Sequence, residues 1–346
     1  MSDGVEDWRP AISRERLGAR AALLARAREF FAARAVLEVD TPLVVNAAVS
    51  DVHIHAAGVE LAGAPAAAGA PGAHRRLYLH TSPEYAMKRL LAAGSGDIYQ
   101  ICHVVRALES GRLHNPEFTL IEWYRLGFSL SALMDEVESL VRTLLGAAAA
   151  ARASERLSYR EAFLREAGLD PLTASVADLE RAARPLAYSG AAASATQAPR
   201  AAAACATDRD EWLELLMGTL IGPRLGRGAL TFVHGYPASQ AALARLDPAD
   251  PRVALRFELY CDGIELANGF HELAAATEQR ARFARDSAER RRRGLPPVEP
   301  DERLLAALAA GLPDCAGVAL GFDRIVMLST GASHIEEVLP FPTSRA

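Results

Sequence analysis

Between Tyr99 and Gly127 the chain reads YQICHVVRALESGRLHNPEFTLIEWYRLG, which gathers Arg106, Arg112, His114 and Asn115 around one polar stretch. Planar, permanently charged guanidinium groups beside an amide make a donor set suited to a polyphosphate. A few residues on, Glu122 and Tyr124 stand two apart beside an aromatic ring. A carboxylate and a phenol on one face are costly to bury unless a polar ligand meets them. The chemistry these types point to is a hairpin that holds a nucleotide on one face.

The elements that must position these groups follow from pattern. Tyr99 to Arg106 is apolar and β-branched, as a buried strand is; Glu109 to Pro116 contains turn formers; Phe118 to Tyr124 returns as a strand. Strand residues alternate faces, so Phe118, Leu120, Glu122 and Tyr124 share one side and Thr119, Ile121 and Trp123 the other. A second hairpin spans Arg256 to Ala267 around the favoured two-residue turn Asp262-Gly263, with Glu265 just after it and Glu272 further on. Helices are expected over Arg14–Arg34, Tyr85–Ala93, Ser129–Ala151, Ser158–Gly168, Ala177–Ala187, Asp210–Leu225, Thr277–Arg293 and Asp301–Gly311. Lys88 and Arg89 are expected on an exposed helix face. The Glu-Arg-Arg-Arg-Arg run ending at Arg293 reads as a solvated face, with a docking patch for an acidic partner as the alternative. Ala56–Ala73 and Tyr188–Asp208 are Ala-rich with little pattern. The whole of 1–346 is expected as one domain, with a helical insertion at about 130–228.

Composition narrows the class. With 346 residues, 50% hydrophobic and 23% charged, the chain can bury a large core. A net charge of −5 gives no general pull toward nucleic acid or an anionic membrane. Cys102, Cys205, Cys261 and Cys315 lack metal-binding spacing and read as reduced thiols. Met1–Pro10 has no apolar signal-peptide core, and no apolar run approaches the roughly 20 residues that span a bilayer. A cytoplasmic protein without a membrane partner is expected.

The stretch from Tyr99 to Gly127 resembles motif 2 of the class II aminoacyl-tRNA synthetases, and HNPEFT…EWY is similar to their lysine-type branch. Val36–Pro42 resembles motif 1 and Gly317–Arg324, GVALGFDR, resembles motif 3. The likeness runs from about Arg20 to Arg345 and is strongest to the lysyl-tRNA synthetase paralogues that ligate beta-lysine to elongation factor P. It implies an α+β class II synthetase catalytic core, an antiparallel β-sheet flanked by helices, dimerising with a second copy through the motif 1 region. Motif 1 so near the start leaves no room for an anticodon-binding barrel, so no tRNA anticodon recognition is expected.

The resemblance also implies ATP as co-substrate and Mg²⁺. Arg106 would meet the α-phosphate and Arg324 the γ-phosphate. Glu109, His114, Asn115, Phe118, Glu265, Leu266 and Gly321 would surround ATP, with Phe118 stacked on adenine. Glu265 and Glu272 would hold magnesium. Ser82, Glu84, Glu122, Tyr124, Asn268 and Glu272 would surround the amino acid. The implied reaction adenylates (R)-beta-lysine and passes the lysyl group to a lysine side chain of elongation factor P.

Two small differences from lysyl-tRNA synthetases favour the ligase branch: Ser82 stands where alanine is usual, and Ala319 where glycine is usual. There is also one departure. Many members place a glutamate two residues after the motif 2 arginine, and here that place is Leu108; Glu109 is expected to approach through a shifted loop. The alternatives are a lysyl-tRNA synthetase-like enzyme using L-alpha-lysine and a non-catalytic amino-acid-binding paralogue. Retention of Arg106, Arg324, Glu265 and Glu272 stands against the second.

Overall fold

A computed structural model describes residues 8–61, 76–188 and 208–346. Cys205, most of Tyr188–Asp208 and residues 62–73 lie outside the described residues. Helix α1 (Arg14–Ala32) starts at Ser13, whose hydroxyl accepts from the Arg16 amide. Its buried stripe is Leu23, Ala27, Phe30 and Phe31, while Leu17 stays exposed. Short strands β1 (Leu37–Glu38), β2 (Val44–Val45), β3 (Gly58–Val59) and β4 (Leu77–Leu79) follow, then α2 (Glu84–Ala92). The hairpin read from sequence is β5 (Ile98–Val105) and β6 (Glu117–Leu126).

After it come α3 (Leu130–Leu145), α4 (Ala147–Ala150), β7 (Ala153–Ser158), α5 (Tyr159–Ala167), α6 (Val176–Tyr188) and α7 (Arg209–Leu216). Residues 130–228 are therefore not helical throughout. α3 joins the main core, β7 becomes an edge strand, and α5 to α7 pack Tyr159, Phe163, Trp212 and Leu216 into a separate cluster. The chain closes with β8 (Ala229–Pro237), β9 (Val253–Cys261), β10 (Ile264–His271), α8 (Ala276–Arg292), α9 (Glu302–Gly311), β11 (Cys315–Gly321) and α10 (Phe322–Thr330). Asp262 and Gly263, with φ of 52° and 76°, make the β9–β10 turn expected of that dipeptide.

The main sheet runs β1-β5-β6-β11-β10-β9-β8-β7, antiparallel except where β1 meets β5 and β7 meets β8. β2, β4 and β3 form a small second sheet. The fold is α+β. α1, α3 and α10 cover one face of the main sheet, burying Ile121, Trp123, Val318 and Leu320. The period-2 alternation of β6 therefore turns Glu122 and Tyr124 to the other face. Register carries a row across that face: Gln100 pairs with Glu122, Glu122 with Ala319, Ala319 with Asn268 and Asn268 with Glu258.

Two expectations are corrected. Lys88 is not on an exposed face; it is 1% exposed, held by carboxylates that come from both α2 and the end of β10. Nor is the arginine run a free patch. Arg290 is buried and donates to the carbonyls of Asp51 (2.9 Å) and Pro296 (3.0 Å). Arg292 pairs with Glu289, and Arg293 pairs with Glu211 at 2.9 Å. Arg290 and Arg293 fasten α8 to its neighbours, while Arg291 and Arg292 stay exposed, as a solvated face does. No described helix is long and apolar enough to cross a membrane.

Candidate active site

Every residue that the resemblance placed at the site lines one cavity of about 660 Å³ on the open face of the sheet, whereas Arg112, read with Arg106 as a polyphosphate donor, does not line it and donates to the Ser333 carbonyl at 3.4 Å. At one end Arg106 follows β5, and its backbone amide donates to the Pro116 carbonyl at 2.8 Å, which closes the loop. The Arg106 guanidinium lies 5.1 Å from the Phe118 ring centroid and 3.4 Å from the Glu109 carboxylate. Leu108 is 73% exposed, so Glu109 rather than Leu108 approaches the cavity, as the shifted loop requires.

Arg324 enters from the first turn of α10. It donates to the Glu265 carbonyl at 2.7 Å, the Leu113 carbonyl at 3.4 Å and His114 Nε2 at 2.8 Å. Burial, then the Arg324 and Arg106 charges, push the His114 pKa down to about 3. The ring is thus neutral and accepts from Arg324. The next-door Asp323 accepts from the Thr119 amide at 2.7 Å and from the Arg20 guanidinium. That buried pair pins the start of α10 to β6, at the edge of the cavity that Arg324 lines. Asn115 donates to the Glu117 carbonyl at 2.6 Å and accepts from the Thr343 amide at 3.1 Å, so much of its amide is engaged by backbone.

Carboxylates crowd the other end. Ser82 accepts from the Glu84 amide at 3.0 Å, which steadies the start of α2, and donates to Glu122 at 2.8 Å. Ser82 thus serves both the start of α2 and the pocket. Tyr124 donates to the other oxygen of Glu122 at 2.8 Å. Burial first, then the Glu84 charge, raise the Glu122 pKa to about 8 against these two bonds. Lys88 Nζ sits 2.6 Å from Glu84 and 2.6 Å from Glu272. Burial lifts the Glu272 carboxyl above its ordinary range, and Lys88 opposes that shift. Asn268 Oδ1 accepts from Arg256 Nε at 3.2 Å; Arg256 also donates to Glu258 at 2.5 Å.

Magnesium takes oxygen ligands, usually one or two carboxylates with phosphate and water making up the rest. Glu265 faces the cleft with Glu258 as the nearest like charge and Arg324 3.8 Å away. This donor set fits a metal that also binds phosphate. Glu272 is held by Lys88, so Glu265 is the freer of the two expected ligands. Among the described residues no cluster of three or more His, Cys, Asp or Glu could hold a metal by itself.

Close packing around Tyr124 and Glu272 depends on Gly317, on β11 opposite Tyr124. A Cβ there would lie 2.3 Å from the Tyr124 ring and 2.6 Å from a Glu272 oxygen. Gly317→Ala is expected to displace both and raise the amino-acid KM about tenfold or more, with the ATP KM little changed. An unchanged amino-acid KM in steady-state pyrophosphate exchange would show that the pocket lies elsewhere.

The family of class II tRNA synthetases for aspartate, lysine and asparagine (D, K and N) matches residues 4–345. The chain belongs to that family. As a class II synthetase-like protein it is an ATP-using amino-acid ligase. A protein of Vibrio cholerae named elongation factor P–(R)-beta-lysine ligase is 49% identical over 98% of this chain and 99% of its own length. Proteins of the same name from Yersinia enterocolitica and Salmonella typhi are 48% and 47% identical, each alignment covering 98% of both chains. Within the class II site described here, sequence reasoning missed Lys88, Arg256, Glu258 and the Arg20–Asp323 pin. For Lys88 a signal existed, since it stands one helical turn after Glu84.

Proposed function

We propose that this chain activates (R)-beta-lysine with ATP and transfers the lysyl group to a lysine side chain of elongation factor P. The names of its relatives supply the substrate and the acceptor. The observation that carries the reading is the pairing within one cavity of two phosphate-facing arginines, Arg106 and Arg324, with three carboxylates at the opposite end. A diamino acid needs anionic partners for its ammonium groups, and a triphosphate needs cationic ones.

In this reading the amino acid's carboxylate attacks the α-phosphorus of ATP, forming an acyl–phosphate bond and breaking the bond to pyrophosphate. Arg106 balances charge at the α-phosphate and Arg324 at the γ-phosphate. Phe118 offers its face to adenine; Glu109, Asn115, Leu266 and Gly321 shape the nucleotide end, and neutral His114 orients Arg324. Glu265, with Glu272 the lesser candidate, would hold magnesium, which when bound would offset triphosphate charge. Glu84, Glu122, Tyr124, Asn268 and Glu272 hold the substrate's polar groups, with Ser82 bracing Glu122. The acceptor amine then attacks the acyl carbon, AMP leaves, and the amine's proton passes to solvent. Holding the reactants in line is the larger part of the catalysis.

We extend the proposal to one catalytic unit working in the cytoplasm as a homodimer. Leu37 within the motif 1-like segment and Leu43 just after it are 56% and 42% exposed, and a second cavity of about 780 Å³ lined by Pro42, Val44 and Val45 adjoins them. A second copy covering this region would bury that surface.

Amino-acid-dependent ATP–pyrophosphate exchange, with (R)-beta-lysine and L-alpha-lysine run in parallel, tests the reading. Exchange is expected to favour (R)-beta-lysine by tenfold or more in kcat/KM. Exchange with L-alpha-lysine alone would replace the ligase by the synthetase-like enzyme.

A further inference from the structure

Lys88 is the only lysine in the chain; the other 37 of its 38 Lys and Arg residues are arginine. It is also among the largest fully buried side chains. Arginine carries the positive charge everywhere else, so this position asks for something a guanidinium lacks. A compact ammonium fits between two carboxylates 2.6 Å away on either side, where a broad planar fork would need more room.

The charges around it can be counted. Glu84, Glu122 and Glu272 bring three carboxylates into the cavity lining. Among the described residues, Lys88 is the cation paired with Glu84 and Glu272, and the groups bonded to Glu122, Ser82 and Tyr124, are neutral. With all three ionised, as the ammonium groups of a bound ligand would make them, the cluster carries two uncompensated negative charges. Buried charge left unpaired is heavily penalised, so such a pocket favours a ligand that brings two positive charges.

We propose that Lys88 is a specificity-determining residue, which cancels one of three pocket carboxylates and so matches the site to an amino acid with two ammonium groups. This rests on the diamino-acid reading above. It makes a prediction that a packing role does not: removing the lysine should repair a variant that lacks one carboxylate. Glu84→Gln leaves the cluster one negative charge, short of a diamino acid by one. Adding Lys88→Met returns it to two.

The test is a double-mutant cycle read by ligand-induced thermal shift with no ATP present, using (R)-beta-lysine and L-alpha-lysine as probes. The Kd for the better-bound diamino acid is expected to rise about tenfold or more in E84Q, and to return to within about threefold of wild type in E84Q/K88M. Losses that simply add, or a double variant that no longer folds, would make Lys88 a structural residue and overturn the inference. Wild-type protein that binds neither diamino acid would overturn the proposed function, and this inference with it. The two failures are therefore told apart by the wild-type control.

Discussion

Arg324→Ala is expected to lower ATP–pyrophosphate exchange about a thousandfold while leaving the fold intact. The size follows from the role: an arginine aimed at transferring or leaving phosphate contributes of order 10³ in rate in an enclosed site. Survival of the fold follows from what Arg324 touches. Its partners are the Glu265 and Leu113 carbonyls and the His114 ring, all lining the cavity, where water can replace the guanidinium. The neighbouring Asp323, which ties α10 to β6 and Arg20, is untouched by the substitution. Arg324→Lys is expected to recover activity about tenfold over the alanine variant, since it restores a charge without the fork. Exchange within tenfold of wild type in Arg324→Ala, from protein with an unchanged melting temperature, would remove Arg324 from the phosphate site.

How far the sequence disclosed this arrangement depends on the range of the interaction. The face of β6 was legible because a two-residue period and the penalty on a buried carboxylate leave Glu122 one place to go, and helices α1, α3 and α10 do cover the other side. The Asp262-Gly263 turn was legible because its backbone conformation is local chemistry. Lys88 was misread for the opposite reason. Charged residues on a helix usually face water, but one carboxylate that holds this one arrives at the end of β10, far along the chain. Arg290 was misread in the same way, since its acceptors lie on the Asp51 loop and at Pro296. β7 was missed because Ala153–Ser158 has no apolar alternation, and its strand conformation depends on pairing with β8. The thiols fit their inert reading where they are described. Burial holds Cys102 and Cys315 at about 12 and Cys261 at about 11.

Glu122→Gln is expected to make the unliganded protein more heat-stable at pH 8 while raising the amino-acid KM about a hundredfold. The loss of affinity reflects a buried charge that a diamino acid's ammonium needs and an amide cannot supply. The gain in stability follows from the same burial. The Glu122 carboxyl, about 4.5 when unfolded, is raised to about 8 in the folded protein, so the folded state binds the proton more tightly. Wild-type stability therefore falls as pH rises from about 4.5 to about 8, where the folded state must give up that proton or hold a buried charge. Glutamine removes this loss, so the difference in Tm between variant and wild type should grow across that window and level off above it. Each kcal/mol regained corresponds to roughly 1–2 °C for a chain of this length. Saturating (R)-beta-lysine should reverse the order, because only the wild type gains from tight binding. Melting curves of both proteins from pH 5 to 9, with and without the amino acid, test the assignment. A variant less stable than wild type at pH 8 without ligand would mean that the Ser82 and Tyr124 bonds outweigh the buried charge, and that Glu122 is held there for structure rather than for substrate.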